Sequence, residues 1–259
     1  MTGSGFTDRL QEILRDFASS QGDVLDRGAE AMAGSIAGGG LAHFYGSGHS
    51  VIPVMDAFPR YGSFVGINPL TDPRLMWWSV LGPGGARPLL WLERTEGYAI
   101  QYLETQPIGR GDTMVVISHG GRNAAPVEAA MFAHTRGVTV VGVTSLANVE
   151  RPAGHSSGKR LADVSDVVID TGVPVEDALV QLGDWPAPVA GASSIVACVV
   201  VGELVSRTAG KLLARGVTMP TFVSPTVPGA SVASNDHVFD AYRRRILEAE
   251  EKAAADVAP

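Results

Sequence analysis

Residues 115–145 constrain the fold more than any other stretch. The β-branched run Val115–Ile117 closes on Ser118-His119-Gly120-Gly121-Arg122-Asn123, a helical pattern runs from Ala124 to Arg136, Gly137 stops it, and Val138–Val143 is β-branched again. A strand, a helix long enough to cross a sheet and a second strand form a βαβ unit, and two strands joined that way must lie parallel. A parallel sheet needs both faces covered, so its strands read as continuous apolar runs and not as alternating ones. The rest of the chain fits that demand. Strands are expected at Leu41–Tyr45, Phe64–Ile67, Asp112–Ile117, Val138–Val143 and Val164–Asp170. Helices are expected at Phe6–Ala18, Val24–Ala37, Val51–Phe58 (short, with Pro53), Glu93–Glu104, Ala124–Arg136, Ser193–Leu213 and Ala241–Ala255. Residues 71–91, with Trp77, Trp78 and Trp91, have no clear period and read as an irregular excursion whose aromatics belong to a core or an interface. With 259 residues, 45% of them hydrophobic, there is apolar material for one α/β domain, placed at 5–248 with a charged tail at 249–259.

Charge and cysteine usage narrow the function. A net charge of -7 opposes general nucleic-acid binding, which needs a basic face to displace counterions. The single cysteine, Cys198, rules out an internal disulfide and fits a reducing cytoplasm. No apolar run approaches the ~20 residues of a membrane span, and residues 1–11 lack the pattern of a signal peptide. Neither G-x-x-x-x-G-K-[ST] nor G-x-G-x-x-G occurs, so a kinase or a dinucleotide-dependent dehydrogenase is disfavoured and no cofactor is expected. No paired-histidine or clustered-cysteine spacing points to a metal.

In an open parallel sheet ligands bind beyond the carboxyl ends of the strands, where three loops would meet here. The first is Gly46-Ser47-Gly48-His49-Ser50, the second Ser118 to Asn123 and the third Thr144-Ser145. Glycines admit an anion close to the backbone, hydroxyls donate to it, and a helix opening at Ala124 adds orphan N–H groups and a positive dipole end. Ser47, Gly48, Ser50, Ser118, His119, Gly120, Gly121, Arg122, Asn123, Thr144 and Ser145 are therefore candidate ligand contacts.

Tyr45–Ser50, Val115–Ser145 and His155-Ser156-Ser157-Gly158-Lys159-Arg160-Leu161 together resemble the SIS (sugar isomerase) domain family, in the bacterial branch related to phosphoheptose isomerases. The likeness spans roughly residues 5–248. It implies a three-layer sandwich around a five-stranded parallel sheet, a phosphorylated sugar at the strand ends, and a homodimer or homotetramer with sites at subunit interfaces. Ser50 and Ser118 fall in phosphate-donor positions. Gly120 stands where the family usually has a second serine, which removes one hydroxyl donor and admits another sugar anion in place of phosphate.

Aldose–ketose exchange through an enediol needs a carboxylate to carry a proton between neighbouring carbons. Asp56, just past the first loop where relatives carry Glu, is the leading base; Glu128 in the helix after the second loop is its competitor, and His49 the histidine best placed to assist. His155 and Lys159 are expected to close over the anion, while His43 and His134 read as structural. The family's helix histidine is missing from Ser193–Leu213, so its acid–base pair does not carry over. The expected activity is isomerisation of a sugar phosphate or similar sugar anion. A non-catalytic sugar-phosphate sensor and a sugar-phosphate lyase or etherase are the alternatives.

Overall fold

The computed structural model describes residues 5–257. Two helices, α1 (Phe6–Ser20) and α2 (Gly22–Ala37), precede a parallel sheet built from β1 (Ala42–Gly46), β2 (Ile67–Leu70), β3 (Thr113–Ile117), β4 (Thr139–Thr144) and β5 (Val167–Asp170). Strand order is β2-β1-β3-β4-β5, with every neighbour parallel. The five-stranded α/β sandwich expected above is therefore the fold.

The remaining helices are α3 (Val51–Ala57), α4 (Ala86–Leu92), α5 (Tyr98–Leu103), α6 (Ala124–Thr135), α7 (Ser193–Ala214) and α8 (Asp236–Val257). Alternate strand residues feed two separate cores. Ala42, Phe44, Val115, Ile117, Val141, Val143 and Ile169 pack with α2, α3, α7 and α8 on one face. Tyr45, Leu70, Met114, Val116 and Val140 pack with α4, α5 and α6 on the other. Burying so many apolar side chains at ~25 cal/mol per Å2 is the main stabilising term.

The structure differs from the expected elements at five places. The second strand lies at Ile67–Leu70 and not at Phe64–Ile67, because Ser63–Val65 bonds instead to Pro220–Phe222 (Val65 N–H to Pro220 O, 2.9 Å; Phe222 N–H to Ser63 O, 2.9 Å). Pro69 within β2 is tolerated because β2 is an edge strand. The helix expected over Glu93–Glu104 is realised only as α5, because residues 93–97 turn and Gly97 sits at φ 85°, and α4 instead forms at Ala86–Leu92, reaching into the stretch expected to be irregular. Val164 closes a 3-10 turn, so β5 begins only at Val167. An antiparallel hairpin of β6 (Ala178–Val180) and β7 (Val189–Gly191) occupies a stretch for which no element was expected. α8 starts at Asp236, ahead of the expected Ala241, and runs to Val257.

Candidate functional site

The loops after β1 and β3 lie side by side, since Gly46 is in register with Ile117. Gly46 has no room for a side chain, because a Cβ there would sit 2.5 Å from Ser50 O. Ser118 continues from β3 and is fixed to β4 by its N–H on Val143 O at 2.9 Å. Its Oγ accepts the Gly121 N–H at 3.2 Å, so its own hydroxyl hydrogen stays available to an anion. Gly121 must be glycine: φ is 59°, and a Cβ would lie 2.6 Å from Thr144 Oγ1. The His119 and Gly120 N–H groups meet no acceptor among the described residues, and α6 opens just beyond, at Ala124 with Asn123 as its N-cap. Together they gather donors at the carboxyl end of β3, as an anion requires.

One carboxylate ties the two loops together. Glu93, at the C-terminal end of α4, is 7% exposed. Its Oε2 accepts the Ser47 hydroxyl at 2.9 Å and its Oε1 the Asn123 side-chain amide at 2.9 Å. Its carbonyl takes the Ala125 N–H at 3.0 Å, at the first turn of α6. Burial pushes the Glu93 carboxyl above the usual carboxylate range, against the Ser47 hydrogen bond and the Arg94 guanidinium 3.2 Å away, which pull it down. A carboxylate that is buried, hydrogen-bonded and raised in pKa is suited to taking up and returning a proton.

The SIS domain profile matches residues 5–145, which include both loops and Glu93. The chain belongs to the SIS domain family. A UPF0309 protein of Streptomyces coelicolor is 34% identical over 245 residues, spanning 93% of this chain and 95% of the relative. Among solved structures, the phosphoheptose isomerase GmhA of Neisseria gonorrhoeae superposes with a TM-score of 0.54 at 16% identity, covering 79% of this chain and 95% of that one. A phosphoheptose isomerase from Francisella tularensis gives 0.51 at 14% identity, with 78% and 93% covered. At those identities the superpositions establish the SIS fold.

Within this SIS domain the other candidates fall into distinct environments. His49 is exposed and its ring meets Trp77 at a tilt of 37°, ring centroids 4.1 Å apart, beside Ser50 at the edge of the first loop. Ser50 and His119 line a narrow cleft with Thr171, Ser193 and Ser194, at the N-terminus of α7. His119 Nε2 lies 3.3 Å from Val175 O, while its buried Nδ1 has no partner. Thr144 and Ser145 spend their hydroxyl hydrogens on His119 O (3.2 Å) and Val173 O (2.5 Å), so they shape the second loop and leave donation to Ser118.

Asp56 faces elsewhere. It is ion-paired with Arg60 and lines a cavity between α3 and α7 with Tyr61, Val201, Val205 and Ser206, which shares no residue with the Ser50–His119 cleft. Glu128 is buried, not a solvated helix residue: Oε1 accepts the Gly97 N–H at 2.5 Å and Oε2 has no partner. His155 Nδ1 accepts the Ser157 N–H at 3.1 Å, which leaves Nε2 facing Glu128 Oε1 at 3.7 Å and Glu96 Oε2 at 3.8 Å. Ser156 donates from both N–H and Oγ to Glu96 at 2.6 Å, holding its carboxyl below the ordinary value. Residues 154–161 are thereby bound to the second loop as well, through Gly154 N–H on Arg122 O (2.9 Å) and Leu161 N–H on Gly121 O (2.7 Å). Lys159 is exposed beyond this strap, whereas Arg160 is committed to Arg151 O.

Glu93 and Glu96 were not among the residues expected from sequence. The one local hint is an acid closing the apolar turn Leu89–Leu92; the partners that identify Glu93 come from remote parts of the chain. Among the described residues no group of three His, Cys, Asp or Glu is arranged to hold a metal, and no helix is long and apolar enough to cross a membrane.

Proposed function

We propose that the chain binds a phosphorylated or otherwise anionic sugar between loops 46–50 and 118–123, and interconverts its aldose and ketose forms. The Glu93 carboxylate, buried and shared by Ser47 and Asn123, carries this reading. It takes the proton from the carbon next to the carbonyl of the open-chain sugar, leaving an enediolate, and returns it to the former carbonyl carbon while the hydroxyl proton passes between the two adjacent oxygens, so that the carbonyl moves. Nothing is gained or lost overall. The Ser118 hydroxyl, the His119 and Gly120 amides and the α6 N-terminus hold the anion, with Ser50 on the opposite wall. His49, on its Trp77 platform, is placed to exchange the proton that opens the ring.

This reading moves the base from Asp56 to Glu93 and gives Glu128 the role of anchoring the 93–97 segment. The names of the two phosphoheptose isomerases that share the fold favour a phosphosugar over other anions. The lone Cys198 agrees with a cytoplasmic setting, and exposed apolar residues on α7 such as Ile195 and Leu213 agree with a homodimer or homotetramer.

Thermal-shift titration with a panel of sugar phosphates, set against inorganic phosphate and neutral sugars, tests the binding half. Proton NMR of the stabilising sugars in deuterium oxide tests the chemistry, because proton abstraction washes solvent deuterium into the carbon next to the carbonyl. Stabilisation with deuterium exchange is expected. Binding with neither aldose–ketose conversion nor exchange in any hit would refute the isomerase and leave a sensor, and no stabilisation by any phosphosugar would refute both.

A further inference from the structure

The loop that gathers the anion donors also carries a guanidinium with no partner. Arg122 is part-buried, its Nε is shut away from solvent without an acceptor, and its side chain makes no hydrogen bond or ion pair among the described residues. Its cationic neighbours are committed or lie outside: Arg94 is 3.2 Å from Glu93, Arg160 is bonded to Arg151 O, and Lys159 is exposed beyond the strap. A guanidinium has five N–H donors and cannot shed its charge, so burying part of it unpaired costs free energy that an arriving acceptor recovers. The backbone that carries it is already fixed. Gly154 N–H bonds to Arg122 O at 2.9 Å and Leu161 N–H to Gly121 O at 2.7 Å, so only the side chain has to adjust when an acceptor arrives.

Gly120 shows where that side chain goes. Its φ lies outside the left-handed region, so the backbone there would accept a serine. Apart from its chain neighbours, the atoms a Cβ on Gly120 would meet within 4 Å are Arg122 Cγ at 3.4 Å and Cδ at 3.8 Å. The space that a side chain at 120 would enter is therefore bounded by the stem of Arg122. We infer that Arg122 supplies the positive charge of the anion site, and that the pair Gly120–Arg122 exchanges a neutral hydroxyl donor for a forked, permanently charged one. The inference rests on the anion site proposed above and adds what sets its selectivity. The other donors of the second loop, the Ser118 hydroxyl and the His119 and Gly120 amides, are all neutral. Charge-assisted hydrogen bonds are roughly twice as strong as neutral ones, so the guanidinium makes the site select by charge: it reads the anion and not the sugar.

Thermal-shift and calorimetric titrations with inorganic phosphate, and with each sugar phosphate that stabilises the wild type, test the assignment. Arg122→Gln should weaken all of them by the same factor, about tenfold or more, without lowering the ligand-free melting temperature. Wild-type affinity should also fall more steeply with added salt than that of Arg122→Gln, because the charge is screened. Arg122→Lys, which keeps the charge and loses the fork, should lie between the two. Gly120→Ser should recover part of the lost affinity in the Arg122→Gln background and add none in the wild type, where its side chain meets the Arg122 stem. Unchanged phosphate affinity in Arg122→Gln, a loss confined to the sugar phosphates, or no recovery by Gly120→Ser would overturn the inference and leave the anion site standing. A wild type that binds neither inorganic phosphate nor any sugar phosphate would overturn both.

Discussion

Ser47 and Asn123 hold opposite oxygens of a single carboxylate, that of Glu93, so the loops after β1 and β3 are joined through a buried acid. Any change at Glu93 is thus felt in both loops.

Glu93→Gln should separate catalysis from folding. The amide keeps the shape, accepts from Asn123 through its oxygen and donates to the Ser47 hydroxyl, but cannot carry the proton. Turnover should fall about a hundredfold or more while sugar-phosphate affinity changes little. The sign of the stability effect follows from burial. A carboxyl raised by desolvation is favourable when protonated, and that contribution is lost as pH rises through its folded value. Glu93→Gln should therefore be at least as stable as wild type at pH 7, and the difference should vanish towards pH 4. Melting temperatures at the two pH values check this; a large loss at pH 7 would make Glu93 a structural tie.

Ser118→Ala removes a hydroxyl whose hydrogen is uncommitted and whose only described protein bond is to Gly121 N–H. Anion affinity should drop by about 1–2 kcal/mol, close to tenfold, with the fold intact. Gly121→Ala should behave differently, since its Cβ meets Thr144 Oγ1 in a left-handed backbone conformation; a loss of about 1–3 kcal/mol in stability should accompany the loss of binding. Calorimetric titration beside urea denaturation distinguishes the two.

Asp56→Asn and Glu128→Gln test the reassignment of the carboxylates. Asp56 sits in a part-exposed pair with Arg60, so its loss should cost less than about 1 kcal/mol and leave turnover within a few-fold of wild type. Glu128→Gln can still accept the Gly97 N–H but leaves His155 Nε2 facing the charge of Glu96 alone. Its kcat should fall modestly through the 93–97 segment, with KM less affected. Loss of turnover in Asp56→Asn alone would return the base to Asp56.

The contrast between the frame and the site reflects what local sequence can encode. The β3–α6–β4 unit was legible because apolar period, caps and Gly137 agree, and the phosphate-like loops because glycine and serine crowd two strand ends. Glu93 was not, because its role depends on Ser47 and Asn123, which only the folded sheet brings to it. The same holds for Asp56: its position after the first loop suggested the crevice, but α3 turns its side chain towards Arg60 and the flank of α7. The late start of α5 left a visible glycine at Gly97, yet residues 93–97 keep a helical period. Phe64 and Val65 read as a strand because they are apolar and β-prone, and tertiary pairing with residues 220–222 took them out of the sheet.

At the opposite end of the sheet from the candidate site, Asp112 is the acceptor on which a buried chain converges. Tyr242 OH donates to Asn68 Oδ1 at 2.7 Å, the Asn68 amide donates to His43 Nδ1 at 3.0 Å, and His43 Nε2–H donates to Asp112 Oδ2 at 3.1 Å. Asp112 also accepts the Leu41 and Gly109 N–H groups, both at 2.9 Å. Burial alone would raise its pKa, but the His43 contact and the two amides outweigh it and hold the carboxyl below the ordinary value. A depressed carboxyl stabilises the fold above its unfolded pKa of about 3.9, and that contribution is lost as pH falls through the lower folded value. Asp112→Asn presents an NH2 group to donors that need an acceptor, so at pH 7 it should cost roughly 2–4 kcal/mol. As pH falls through that lower folded value wild type loses the same interactions and the two proteins should converge. Urea denaturation from pH 7 down through the acid transition measures the gap; one that stays constant until the protein unfolds would mean that Asp112 serves by its shape and not by its charge.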